Sequence, residues 1–230
     1  LGALEALYAS LERPDELARV LDLQVERTIA DAAAQGEYLR AVARLAEGTL
    51  REIPRARKAW ERLCEILPGD AEALEALARI YTGEGDWATL VRILERQVPL
   101  AAEPARAVEL ALLRAQLLDE RLRNPEEAAR ALEQVVAELD PRSWTAHERL
   151  RALYERKEDW ARVVKVAERM LFLTEDPTLR TPRALELGVL WRDRLGDDKR
   201  AVTAFERVLE IDGDNLEALQ ALAALYAKLG

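Results

Sequence analysis

His147 is the only histidine in the chain and Cys64 the only cysteine. A Ser-His-Asp triad or a histidine metal cluster would have to be built around that one imidazole. His147 falls in an apolar slot of the repeat described below, so it reads as a packed or rim histidine. Cys64 lies four residues after Trp60, on the same helical face. It reads as a small buried hydrophobe, with no basic neighbour placed to activate a thiolate. The carboxylate pairs Glu126-Glu127 and Asp197-Asp198 invite an acid–base reading. Each sits in the opening turn of an expected helix, where the macrodipole favours negative charge. Gly83-Glu84-Gly85-Asp86 contains glycines, but no Lys-Ser/Thr follows and no strand precedes, so it reads as a hairpin turn and not a phosphate loop. The expectation is a protein that is not an enzyme, with no catalytic residue, metal or cofactor.

Whatever positions these residues is helical. Half of the 230 residues are hydrophobic and 33% are charged. That is enough apolar material for a large core. Ala, Leu, Glu and Arg dominate, and all four are good helix formers. Aromatics make up 5%, and no alternating β-branched run reads as a strand. The formal net charge is -9 with no basic block, which disfavours nucleic acid and anionic membrane as partners. One cysteine allows no intramolecular disulfide and fits a reducing compartment, so the expected location is the cytoplasm. No apolar stretch approaches the roughly 20 residues of a membrane-spanning helix. The chain begins at Leu1 without a methionine, Leu1 to Tyr8 already reads as helix, and Gly230 follows a helix. Both ends read as cut from something longer, and the composition has a bacterial, GC-rich look.

The main signal is internal repetition. Ala73 to Tyr81, Ala146 to Tyr154 and Ala218 to Tyr226 align without gaps, and a poorer copy ends at Tyr8. Tyr8, Tyr81, Tyr154 and Tyr226 thus follow one another at a nearly constant interval. Between them run Ala56-x-x-x-Trp60, Ala128-x-x-x-Leu132 and Ala201-x-x-x-Phe205, each followed by an apolar end and a breaker. The long period therefore holds two half-units of roughly 36 residues, each large enough for a helical hairpin. His147 aligns with Leu74 and Leu219.

These half-units resemble the tetratricopeptide repeat. Leu187-Gly188-x-x-Trp191, Gly196-Asp197, Ala201-x-x-x-Phe205 and Ile211-Asp212 are similar to its pattern, as are Leu77-Ala78-x-x-Tyr81 with Gly85-Asp86 and Leu222-Ala223-x-x-Tyr226. The resemblance implies an all-α, right-handed solenoid of antiparallel hairpins, one array over 1–230 with about 13 helices, as part of a longer repeat protein. Helices are expected over 71–83, 86–99, 125–139, 143–156, 159–173, 198–211 and 215–229. Asp70, Asp86, Ser143, Asp159 and Asp214 are the expected N-caps, and Pro125 suits a first turn. The proline-bearing stretches Val98–Pro104 and Leu173–Pro182 are the longest expected connectors. Small residues such as Ala78, Ala128, Gly188 and Ala201 let helices approach, and Trp60, Tyr81, Tyr154, Trp191 and Phe205 fill the space beside them. Several features depart from the family pattern. The half-units run slightly long. Arg151 stands where Ala78 and Ala223 are small, and Pro14 stands where later copies have Trp87 and Trp160.

The resemblance also implies a function: a scaffold that binds a partner protein or peptide along the concave face lined by the first helix of each hairpin. Mapping those positions gives Arg40, Arg44, Glu75, Arg79, Gln116 and Glu148 as partner-binding residues. Trp144 joins them because its counterparts Ala71 and Leu216 do not require its size, although it also suits a local staple. The Lys/Asn set by which some family members clamp a terminal carboxylate is absent at these positions. Arg40, Arg44 and Arg79 suit carboxylates, and they equally suit surface ion pairs such as Arg79 with Glu75. Two other roles fit the same residues: self-association through the end hairpins, or a helical arm of a larger multidomain protein.

Overall fold

The computed structural model describes residues 13–229, so the repeat copy ending at Tyr8 lies outside the described residues. The described residues form twelve α-helices and no strand. They are α1 (Pro14–Arg27), α2 (Ala32–Leu45), α3 (Ile53–Ile66), α4 (Ala71–Glu84), α5 (Trp87–Gln97), α6 (Pro104–Glu120), α7 (Pro125–Gln134), α8 (Trp144–Arg156), α9 (Trp160–Leu173), α10 (Pro177–Val189), α11 (Asp198–Ile211) and α12 (Leu216–Leu229). The chain divides into two compact units, with Asn124 closing the first and Pro125 opening the second. Within each unit every helix packs on its neighbour in sequence, the pattern of stacked antiparallel hairpins.

Local chemistry sets the helix starts. The side chain of Asp70 accepts from the Ala73 amide at 2.8 Å, and that of Asp86 from the Thr89 amide at 3.1 Å. Ser143 accepts from Ala146 at 3.4 Å and Asp159 from Arg162 at 3.2 Å. Each satisfies an orphan donor of the first turn. For α12 the cap is Asn215 and not Asp214: Asn215 accepts from the Ala218 amide at 3.1 Å, one residue later than expected. Pro125 does open α7. The second proline stretch is not a long connector. Pro177 sits in the first turn of α10, where its missing N–H is no loss. Asp176 caps that turn, and Pro182 lies inside the helix.

Three short π-helical turns, Ala46–Leu50, Val135–Leu139 and Leu190–Arg194, prolong α2, α7 and α10. A wide turn of this kind takes up an extra residue while keeping its backbone bonded, which accounts in part for half-units longer than the family's usual length. Among the described residues five adopt left-handed backbone: Arg51 (φ 56), Gly85 (φ 72), Arg123 (φ 54), Glu158 (φ 55) and Gly196 (φ 64). Each follows the first helix of a hairpin, where the chain reverses. Glycine takes this conformation freely, whereas in Arg and Glu a Cβ crowds the carbonyl. Arg123→Gly and Glu158→Gly are therefore each expected to stabilise the fold by about 0.5 kcal/mol, the steric relief exceeding the added freedom of the unfolded chain. The urea midpoint measures it.

The aromatic ladder lies in the core. Trp60, Tyr81, Tyr154, Trp191 and Phe205 are all buried. Each repeat tyrosine among the described residues also reaches back to a glutamate on the preceding helix: Tyr81 donates to Glu61, Tyr154 to Glu133, and Tyr226 to Glu206 at 2.7 Å. Burial and the nearby carboxylate push the Tyr81 and Tyr154 hydroxyls above the usual phenol range, so both remain donors. Two arginines repeat as well. Arg96 donates to the carbonyls of Cys64 and Pro68 at 3.2 and 2.9 Å, and its counterpart Arg169 to that of Pro141 at 3.3 Å. These guanidiniums satisfy carbonyls left open after the preceding helix. Arg121 lies over the ring of Trp87 at 5.2 Å, and Arg194 over that of Trp160 at 4.4 Å. Both are cation–π contacts.

Candidate functional site

The residues with the most reactive side chains are absorbed by packing. His147 is buried, with Nδ1 2.7 Å from the Ser143 carbonyl. Cys64 is a buried free thiol whose pKa burial pushes up, opposite to what a nucleophile needs. Glu126 and Asp198 form ion pairs with Lys157 at 3.0 Å and Lys228 at 2.6 Å. Among the described residues no group of three or more His, Cys, Asp or Glu converges as metal ligands, and no helix is long and apolar enough to cross a membrane.

The first helices of the hairpins present a different chemistry. In the first unit, α2 and α4 are joined by a charged ladder. Arg40 is the enclosed member: it donates to Asp70 at 2.6 Å and Glu37 at 2.6 Å, with 17% of its side chain exposed and 11% of that of Asp70. These two hydrogen bonds hold its guanidinium pKa up. Because Asp70 also caps α4, Arg40 fixes where that helix begins relative to α2. One turn along, Arg44 makes a two-pronged contact with Glu72, both bonds at 2.6 Å, but 63% of its side chain faces solvent. Arg79, 67% exposed, reaches Glu47 at 2.8 Å. Its partner is thus Glu47 across the hairpins, not Glu75 on its own helix. Glu47 also accepts from the Trp60 indole N–H at 3.3 Å, tying the ladder to the core.

Glu75 is left exposed on α4. It borders a pocket of about 430 Å³ together with Gln97, Leu100, Arg106 and Leu110. Gln116, on α6, donates to Glu120 at 3.0 Å. The structure thus gathers Arg40, Arg44, Glu75 and Arg79 on two neighbouring helices of the first unit.

Trp144 and Glu148 belong to the second unit, on α8. Trp144 is half-buried, with the Arg183 guanidinium of α10 stacked 4.3 Å from its ring centroid, and Arg183 also donates to Thr174. Glu148 is exposed one turn further along. Arg151, whose size breaks the small-residue pattern, spans from α8 to Glu186 on α10 with one bond at 2.9 Å, and also meets Glu155 at 2.7 Å. Its length is used to link hairpins where alanine would let them touch. Of the acids that complete both ladders, Asp70 was marked only as a helix cap, and Glu47, Glu72 and Glu186 carried no signal in the repeat alignment. A search for opposite charges 28 to 35 residues apart, on or beside successive first helices, would have found them.

A family profile described as tetratricopeptide repeat matches residues 73–107, from α4 through α5 into the start of α6. No curated protein matches the chain in sequence. Among solved structures, the chain is similar to one in the structure of Naa15/Naa10 bound to HypK-THB, at 12% identity, over 99% of this chain and 33% of that one, with a TM-score of 0.52. It is also similar to YrrB, described as a TPR protein with an unusual peptide-binding site, at 17% identity over 89% of this chain and 98% of that one, with a TM-score of 0.41. MamA aligns at 16% identity over 77% of this chain and 92% of that one, with a TM-score of 0.41.

Proposed function

We propose that this chain, a tetratricopeptide repeat protein, is a non-catalytic scaffold that binds a carboxylate-bearing protein segment across the first helices of its hairpins. The observation that carries the reading is the unequal enclosure of the ladder between α2 and α4. Arg40 and Asp70 are shut in and serve as a strut, whereas Arg44 and Arg79 hold their acidic partners at the surface. An exposed ion pair gains little over its solvated parts. A ligand carboxylate can therefore replace Glu72 on Arg44 or Glu47 on Arg79 at small cost. Arg44 already displays the two-pronged geometry that carboxylate recognition uses. Glu75 and the neighbouring pocket with Leu100 and Leu110 would take an adjacent basic or apolar side chain of the ligand. Gln116 on α6 adds an amide on the first unit. Trp144 and Glu148 would offer a separate contact on the other unit, with Trp144 held in place by Arg183.

Binding of this kind should be electrostatic and weaken with salt. A fluorescent glutamate-rich peptide titrated into the protein tests it by anisotropy. Arg44→Glu/Arg79→Glu should weaken binding by at least about tenfold, because it reverses two charges facing the same carboxylates. The helical circular dichroism should stay unchanged. Binding that is indifferent to both the substitution and the salt would move the site away from this ladder.

A further inference from the structure

We propose that the groove between α9 and α11, floored by α10, binds a segment of a partner protein that presents an arginine beside a large aliphatic side chain. Two cavities of about 450 and 500 Å³ adjoin here and share Glu168, Leu171, Leu187 and Arg207. Leu171 and Leu187 are buried at their base. Phe172 lines the second cavity and is 75% exposed. Aligned on Pro14, Trp87 and Trp160, its counterparts are Glu26 and Pro99, so the repeat requires no ring there. Arg169 lies over that ring at 5.1 Å. An exposed ring held beside an apolar cavity is a contact surface for a ligand. Helices of the second unit bound the groove on both sides, so its exposure does not come from the end of an array. The equivalent groove of the first unit, between α1 and α3 over α2, is open too, at about 360 Å³. The repeat therefore stacks no helix of its own in this place.

Comparison of the repeats gives the occupant its charge. The counterparts of Glu168 are Asp22 on α1 and Glu95 on α5. Each holds a guanidinium: Asp22 accepts from Arg55 on α3 at 2.5 Å, and Glu95 from Arg114 on α6 at 2.9 Å. Neither donor is offered to Glu168. The place of Arg114 is taken by Leu187 on the groove floor. Arg200, the counterpart of Arg55, keeps one equivalent pairing, to Asp197 at 3.5 Å where Arg55 meets Glu52 at 3.4 Å. Its guanidinium otherwise lies over the Trp191 ring, 4.5 Å from the centroid. Trp191 stands at the place of Ala46, which gives Arg55 no ring to stack on and leaves it free to reach Asp22. Arg207 on the facing wall is no substitute: its counterpart Arg62 lines the first-unit groove, yet Asp22 takes Arg55. Among the described residues Glu168 therefore has no guanidinium partner. A ligand arginine would take the place that Arg55 and Arg114 hold, with its aliphatic neighbour on Leu171, Leu187 and Phe172.

The probe is a labelled peptide with one arginine between two leucines in glycine-serine flanks, titrated into the whole protein. A control peptide replaces the arginine with uncharged citrulline. Saturable binding is expected, weaker by at least about tenfold for citrulline and for Glu168→Gln, since each removes one side of a charge-assisted pair. Phe172→Ser should weaken it similarly. Both residues are exposed, so helical content should remain that of the parent. Glu65→Gln on the first unit removes the same charge and should leave binding unaltered. Equal binding of the two peptides, or indifference to Glu168→Gln, would overturn the proposal, as would absence of binding to the folded protein. Sedimentation at rising concentration runs in parallel, and dimerisation that Phe172→Ser abolishes would overturn it by assigning the groove to a second copy. Results with the glutamate-rich peptide bear on none of these outcomes, because its ladder lies on the first unit.

Discussion

Phe205→Ala and Trp60→Ala are each expected to cost about 3–5 kcal/mol, among the largest single-residue losses the chain can show. Phe205 is 0% exposed and Trp60 1%. The ring of Phe205 lies against Gly188, with Arg192 over it at 5.7 Å. Trp60 fills the equivalent place in the first unit and also gives its indole hydrogen to Glu47. Removing either ring leaves a void that rigid helices cannot close, so the loss combines transfer and cavity costs. For a chain of this size the melting temperature should fall by about 10 °C. Because contacts in a repeat protein are nearest-neighbour, each substitution should loosen its own unit first. Circular dichroism would then show a broadened, earlier transition. An unchanged midpoint for both variants would mean that the repeat register drawn from these residues is wrong.

That register was legible because packing leaves a spacing in the sequence. Close helix approach requires small residues beside large ones, and a repeated hairpin must meet that demand at a fixed period. The alanines and aromatics therefore announced the core, and the caps Asp70, Asp86, Ser143 and Asp159 announced helix starts. Three features were not legible. The left-handed residues Arg51, Arg123 and Glu158 carry no glycine to mark them, since the hairpin connection imposes the conformation and outweighs the residue's own preference. The π-helical turns differ from ordinary helix by one step of hydrogen-bond register, a difference too small in energy for a composition to encode. Pro182 was expected to break a helix, but it lies near the start of α10, where few backbone bonds depend on it.

The candidate site shows the same division. Position within the repeat selected Arg40, Arg44, Glu75 and Arg79, and all four lie on α2 and α4. Their partners could not be read from the repeat, because these ion pairs join residues on different half-units, and the repeat pattern marks packing positions rather than surface charges. Arg40 and Arg44 look interchangeable in sequence, yet one closes on a helix cap and the other stays in solvent. Only the approach of the α4 N-terminus distinguishes them. Charge type and position singled out the arginines, and enclosure separates Arg40, which is shut in, from Arg44 and Arg79, which face solvent.

The glycines offer the second large effect, and a graded test of how tightly the hairpins meet. A Cβ built on Gly188 would lie 2.7 Å from Cε1 and 2.8 Å from Cζ of Phe205, a ring that is itself fully buried and has nowhere to move. A Cβ on Gly36 would meet Leu67 Cδ1 at 2.8 Å and Cδ1 of the buried Leu63 at 3.3 Å, but the nearer atom is the end of a flexible, half-exposed side chain and the other needs only a small shift. Near Gly83, inside α4, nothing lies within 4 Å. Alanine favours helix over glycine by about 0.5–1 kcal/mol at each of these helical sites. Gly83→Ala should gain that amount, Gly36→Ala should fall near zero as Leu67 changes rotamer, and Gly188→Ala should lose about 1–3 kcal/mol because overpacking outweighs propensity. The order of the three urea midpoints is the measurement. If Gly188→Ala were as stable as Gly83→Ala, the ring of Phe205 could not be resting on the backbone of α10. Restoring space in the double variant Gly188→Ala/Phe205→Leu should recover part of the loss, since the two residues share one contact and their effects should not add.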